Sequence, residues 1–145
     1  MFGDLFKRLT APDPAPLSVT DARIALGVLL VRLARSDGSY DGDEIAQIDA
    51  VLMQRYGLTD AEAANLRADC EIAEAEAPDT VRFTKAIKEA VDYDDRIGVI
   101  EAMWSVVLVD GVRDRHEDAM LRMVAPLLGI SDQDSHKARL RVTPA

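Results

Sequence analysis

One eight-residue pattern constrains this chain more than any other. Asp-Gly-x-x-Asp-x-x-Glu runs from Asp37 to Glu44 and recurs from Asp110 to Glu117. Each copy follows a long apolar run and opens a new segment of helical periodicity. Aligning Asp37-Gly38 with Asp110-Gly111 also aligns Asp41 with Asp114, Glu44 with Glu117, Ile48 with Leu121 and Val51 with Val124. Gly57-Leu58-Thr59 then meets Gly129-Ile130-Ser131 after a one-residue gap. The same succession of helix, Asp-Gly corner, helix, glycine, apolar residue and hydroxyl residue appears twice, which points to an internal repeat of a helical unit. The expected fold is an all-α, single-domain bundle with an internal two-fold repeat.

Periodicity and end signals divide the chain into about seven helices. The first runs from Thr20 or Ser18 to about Arg35, and its "IALGVLLVRLA" is apolar on nearly every side, as a central helix requires. A second spans about Asp41 to Tyr56, with Ile45, Ile48, Val51 and Leu52 on one face and Gly57 as its stop. Thr59-Asp-Ala-Glu62 is a capping box that opens a strongly acidic third helix reaching Ala77. Asp79 or Thr80 caps a fourth, to about Val91, and a fifth covers about Tyr93 to Leu108. "WSVVLV" alone reads equally well as a strand, but the residues before it keep a 3.6-residue period. A sixth helix covers Asp114 to Leu128, and Ser131 caps a short seventh that gives way to a frayed tail, 139–145. The helical domain is therefore expected over 18–138. Residues 1–17 form an arm with Phe2, Leu5, Phe6 and Leu9 at helical spacing, followed by the proline-rich linker "APDPAPLS". Two roles suit the arm: docking its apolar face on the domain, or weak attachment to a membrane or a partner helix.

Composition excludes several classes of function. Net charge is −9 with a pI near 4.6, which argues against nucleic acid as partner, because phosphate binding needs clustered Lys and Arg. Cations or basic protein surfaces suit such a chain better. Cys70 is the only cysteine, so neither a disulfide nor a Cys/His zinc site is available. The charge-free stretch from Ile24 to Val31 is eight residues and that from Met123 to Ser131 nine, both too few to span a bilayer. Asp4, Lys7 and Arg8 break any secretory signal pattern, and a cytoplasmic location is expected.

The acidic corners admit two readings. As ligands, the carboxylates supply hard oxygen donors of the kind that Ca²⁺ and Mg²⁺ prefer, although the eight-residue spacing is not that of an EF-hand. One corner offers only two or three carboxylates, so a tight site requires the two to meet. As local chemistry, Gly38 and Gly111 end helices, Asp41 and Asp114 cap the next ones, and Glu44 and Glu117 fall at the third position to close capping boxes. Asp37 and Asp110 are left over. Each sits at the negative pole of a helix, where a cation would be welcome, yet Asp-Gly is also a common turn pair.

The paired Asp-Gly…Glu layout, the apolar helix before each copy, and the "GLT" and "GIS" ends resemble the TerB family of tellurite-resistance-like domains. A relative is the N-terminal domain of a membrane-anchored DnaJ-type co-chaperone. The resemblance covers roughly Thr20 to Ser131. It implies an all-α bundle of about seven helices, no known catalysis, and a divalent-cation site. Carried over by motif, the metal ligands would be Asp37, Asp41, Glu44, Asp110, Asp114 and Glu117, with Asp43 and His116 as additions peculiar to this chain. No part of the sequence indicates tellurite chemistry itself.

Other chemistry is sparse. His116 sits in the first turn of its helix beside two acids, His136 near the end of the chain, and Ser36, Ser39 and Ser105 have no evident histidine partner. Met103 and Trp104 read as core, and "EIAEAEAPD" as a solvated face. The expectation is a non-enzymatic binding or adaptor module that takes a divalent cation (Ca or Mg) and a protein partner, in stress or envelope physiology. The rivals are a metal-free interaction scaffold and a metal-dependent hydrolase built on the acids and His116.

Overall fold

The computed structural model describes the backbone of residues 19–36, 38, 40–77, 80–109 and 115–143; the side chains described begin at Arg23 and omit 82, 83, 86, 90 and 115–118. Among the described residues all regular structure is helical: α1 Val19–Arg35, α2 Gly42–Tyr56, α3 Asp60–Glu76, α4 Thr80–Ala90, α5 Tyr93–Val107, α6 Arg115–Leu127 and α7 Asp132–Val142. "WSVVLV" is helical as far as Val107. The arm and linker, and the capping positions Ser18, Asp79 and Asp114, lie outside the described residues, while Thr20 falls inside α1.

α1 forms the axis. Val28, Leu29, Leu30 and Val31 are each 0% exposed, so a whole helical turn has no wet face. It packs on α2, α3, α5 and α6, and most extensively on α3. That face of α3 is made of small buried residues, Ala63, Cys70 and Ala73, which let the two helix backbones approach closely. α5 is the second core helix: Ile100 and Met103 are fully buried, and Trp104 Nε1 donates to Ser135 Oγ at 3.2 Å. α5 in turn packs most extensively on α7.

Helix ends follow their local signals. Thr59 Oγ1 accepts from the Glu62 N–H at 3.2 Å while Glu62 Oε1 accepts from the Thr59 N–H at 2.9 Å, a complete capping box. Gly57 (φ 64°) and Gly129 (φ 74°) both adopt the left-handed conformation. The next residue in each case reaches back to the helix, Leu58 to Met53 O at 3.1 Å and Ile130 to Ala125 O at 2.8 Å. Ser131 caps α7.

Two regions differ from what the sequence suggests. α7 does not stop before its basic residues but continues through Arg139 and Arg141 to Val142. Tertiary contacts hold it: Arg141 Nε donates to Glu101 Oε1 at 2.8 Å, and the Arg139 guanidinium lies 5.7 Å from the centre of the Trp104 ring. The acidic run of α3 is likewise only partly solvated. Glu74 accepts from Arg32 Nε and Nη2 at 3.2 and 3.0 Å and from Arg35 Nη1 at 2.8 Å, which ties the end of α1 to the end of α3.

Candidate functional site: the acidic corners

The first corner begins where α1 runs out. Ser36 Oγ donates to Leu33 O at 2.7 Å, and Gly38 (φ 81°) turns the chain while its N–H donates to Arg35 O at 3.0 Å. Tyr40 then lies beneath Arg35, 5.1 Å from guanidinium carbon to ring centre. Its hydroxyl is held above the ordinary tyrosine range, first by burial and then by the neighbouring Glu71 carboxylate. Arg67 completes this side, donating to Asp49 at 2.7 Å and to Glu71 at 3.3 Å.

Asp41 stands at the N-cap of α2 with extended backbone (φ −94°, ψ 173°), and its Oδ1 accepts from the Glu44 N–H at 3.0 Å. That is half of the expected capping box. The other half, a bond from the Asp41 N–H to the Glu44 carboxylate like the one at Thr59 and Glu62, is not made. Glu44 is instead turned into the protein and is 4% exposed, whereas Glu62 lies at the surface. Asp43, next to it, is exposed. Glutamate side chains are mostly exposed, so the inward Glu44 is the least ordinary feature of the corner.

Of the other expected ligands, Asp37, Asp110 and Asp114 lie outside the described residues. Glu117 and His116 have described backbone in the first turn of α6 but no described side chain. Among the described residues no three His, Cys, Asp or Glu side chains come together as a metal-ligand set. The α5 side of the second corner is described: the Leu108 N–H closes the helix on Trp104 O at 3.0 Å. A recess of about 350 Å³ lies between α2 and α5, and Gln47 and Ser105 both line it, as do Arg55 and Gly98. Across it the Arg55 guanidinium lies against Gly98 of α5.

Tyr40, Arg67, Glu71 and Glu74 surround the corner and were not among the residues singled out from sequence. The bonds from Arg67 to Asp49 and from Arg32 and Arg35 to Glu74 join positions 18 to 42 residues apart, beyond any local spacing rule. Cys70 is fully buried, its thiol pushed up to about 12 by burial and then by the charges of Asp69 and Glu71, which makes it an unreactive core residue. His136 is exposed on α7, with Nδ1 3.3 Å from Arg139 Nη2. None of the described helices is long and apolar enough to cross a membrane.

No curated protein and no solved structure matches the chain. A family model described as tellurite resistance protein TerB matches residues 23–140, from the second turn of α1 into α7 and across both acidic corners. With the all-helical architecture on the same residues, that match means the chain belongs to the TerB family.

Proposed function

We propose that this protein is a non-catalytic helical binding module, an adaptor in stress or envelope physiology, and that its two acidic corners share one divalent cation, Ca²⁺ or Mg²⁺. The ligands in this reading are Asp37, Asp41, Glu44, Asp110, Asp114 and Glu117. The observation that carries it is the inward Glu44. A glutamate serving only as a helix cap belongs at the surface, like Glu62, and a carboxylate withdrawn from water is suited to a cation beside it. Capping does not exhaust Asp41 either, since the bond from Glu44 occupies one carboxylate oxygen of two.

Helix packing supports bringing the corners together. Gln47 lies six residues beyond Asp41 and Ser105 five before Asp110, and the two border one recess. At a rise of about 1.5 Å per residue, Asp41 is within roughly 9 Å of helix axis from that shared recess, and Ser105 lies two residues before the end of α5. An internal two-fold repeat fits the same packing: α1 on α3 corresponds to α5 on α7, and α2 against α5 to α6 against α1.

A serine exchange tests the reading, because serine keeps an N-cap oxygen while deleting the carboxylate. Millimolar Ca²⁺ or Mg²⁺ is expected to raise the melting temperature of the parent by mass action on the native state, and to do so much less in the Asp41→Ser/Asp114→Ser variant. A parent indifferent to every divalent ion at neutral pH would leave the corners as helix ends and turns, and the module as a metal-free scaffold.

A further inference from the structure

A second cavity, of about 240 Å³, is also bordered by Arg55 and has no residue of the acidic corners in its lining. Leu26 of α1, Ile87 and Val91 of α4, and Val99 of α5 form its apolar wall, with Ala25 and Tyr56 between them. Water finds few partners on the apolar part of such a wall, which is left without the close contacts of a packed interior. An apolar guest restores the missing contacts. By volume there is room for about eight methylene-sized groups, if each takes roughly the 30 Å³ share of a liquid water.

The mouth of the cavity carries charge. Arg55 lies in the last turn of α2, and Gly98 is what allows its guanidinium to rest against α5: a β-carbon there would stand 2.7 Å from both Nη1 and Nη2. Arg32 and Arg35 hold Glu74, Arg67 holds Asp49 and Glu71, and Arg141 holds Glu101. Arg55 has no such ion pair among the described residues, although the chain carries a net charge of −9. Asp95 also borders the cavity, one turn of α5 ahead of Val99, and does not pair with Arg55.

We propose that this cavity is a binding site for a small amphipathic monocarboxylate, its apolar body of about eight carbons among Leu26, Ile87, Val91 and Val99 and its carboxylate on Arg55. The planar guanidinium presents paired N–H donors matched to a carboxylate. A second acid group at the far end of the body would lie among apolar side chains with no partner for its charge, so the site discriminates against dicarboxylates of the same length.

Titration of the 145-residue protein with octanoate, 1-octanol and octanedioate, followed by amide NMR shifts, tests the assignment. Octanoate is expected to bind saturably, with the largest shifts around Leu26, Val91 and Val99, and at least tenfold more tightly than octanedioate. From hexanoate to octanoate, each methylene should tighten binding about fourfold. Arg55→Gln should weaken octanoate at least tenfold and change octanol less than twofold, a comparison that holds within one folded variant. Val91→Phe, which fills the space, should remove binding of both while the variant still melts cooperatively. Non-saturating shifts, shifts centred elsewhere, or an equal loss of octanol and octanoate in Arg55→Gln would each overturn the proposal. So would an absence of octanoate binding at millimolar concentration, the result expected if the chain's own residues 1–18 fill the cavity.

Discussion

Gly27 of α1 and Cys70 of α3 meet so closely that a β-carbon on Gly27 would stand 2.1 Å from the Cys70 sulfur and 2.9 Å from its β-carbon. The thiol also approaches the α1 backbone, 3.9 Å from Ile24 O. The sulfur can turn about its χ1 bond, but the Cys70 β-carbon is fixed to its backbone, so one helix must shift if the space is filled.

Gly27→Ala is therefore expected to destabilise the protein. Alanine gains about 1 kcal/mol in helix propensity, but overpacking a tight core contact costs about 1–3 kcal/mol and sometimes more. The clash here is severe enough for packing to dominate. Denaturant midpoints for the single variant and for Gly27→Ala/Cys70→Ala decide it: losing the sulfur should recover part of the loss, not all, because the 2.9 Å approach to the β-carbon remains.

The same burial makes stability depend on alkaline pH. The Cys70 thiol is pushed from 9.0 up to about 12, and the hydroxyls of Tyr40 and Tyr56 are also held high by burial. Above pH 9 the unfolded chain ionises its thiol while the native state keeps the proton, so the native state binds more protons and its stability falls as pH rises. The decline should begin near pH 9 and continue towards 12, with Cys70→Ala flattening its first part, before the tyrosines contribute. At pH 8 the native thiol should resist a thiol reagent that labels the unfolded chain.

Glu74 and Glu76 should behave differently although both belong to one acidic run. Glu74→Ala removes an acceptor shared by Arg32 and Arg35, whose side chains are 18% and 38% exposed, and is expected to cost about 2 kcal/mol. Glu76→Ala, at an exposed position, should fall within about 0.5 kcal/mol of the parent. Equal effects in thermal melts would return the run to a uniformly solvated face.

Removing residues 139–145 tests whether the end of α7 is structural. Loss of the Arg141–Glu101 pair and of Arg139 over the Trp104 ring should lower the melting temperature by roughly 3–6 °C and change the tryptophan emission. A free tail would be silent in both.

The positions of the helices were legible because periodicity and caps are local. Thr59 and Glu62 are three residues apart, and Gly57 and Gly129 each sit just beyond an apolar period, so their signals needed no tertiary knowledge. Asp41 and Glu44 carry the same three-residue spacing as Thr59 and Glu62, and spacing alone could not foretell that one glutamate turns outward and the other inward. What decides is the neighbouring helices, which sequence distance conceals. The capture of Glu74 by Arg32 was hidden for the same reason, with 42 residues between them. From sequence, residues 139–145 read as a frayed tail, whereas arginines held by α5 carry α7 to Val142.

The four consecutive buried residues from Val28 to Val31 have a consequence for how the molecule comes apart. A helix wet on one side can shed a neighbour and still keep the rest of its packing, so the protein opens in pieces. α1 is sheathed on every side by α2, α3, α5 and α6, and peeling any of these away exposes part of a complete apolar turn to water. The chain is thus built without a detachable element around its axis. Amide protons of Val28 to Val31 should exchange with solvent only when the whole molecule opens, and a protease should find either an intact fold or fragments, with no stable nicked core between them.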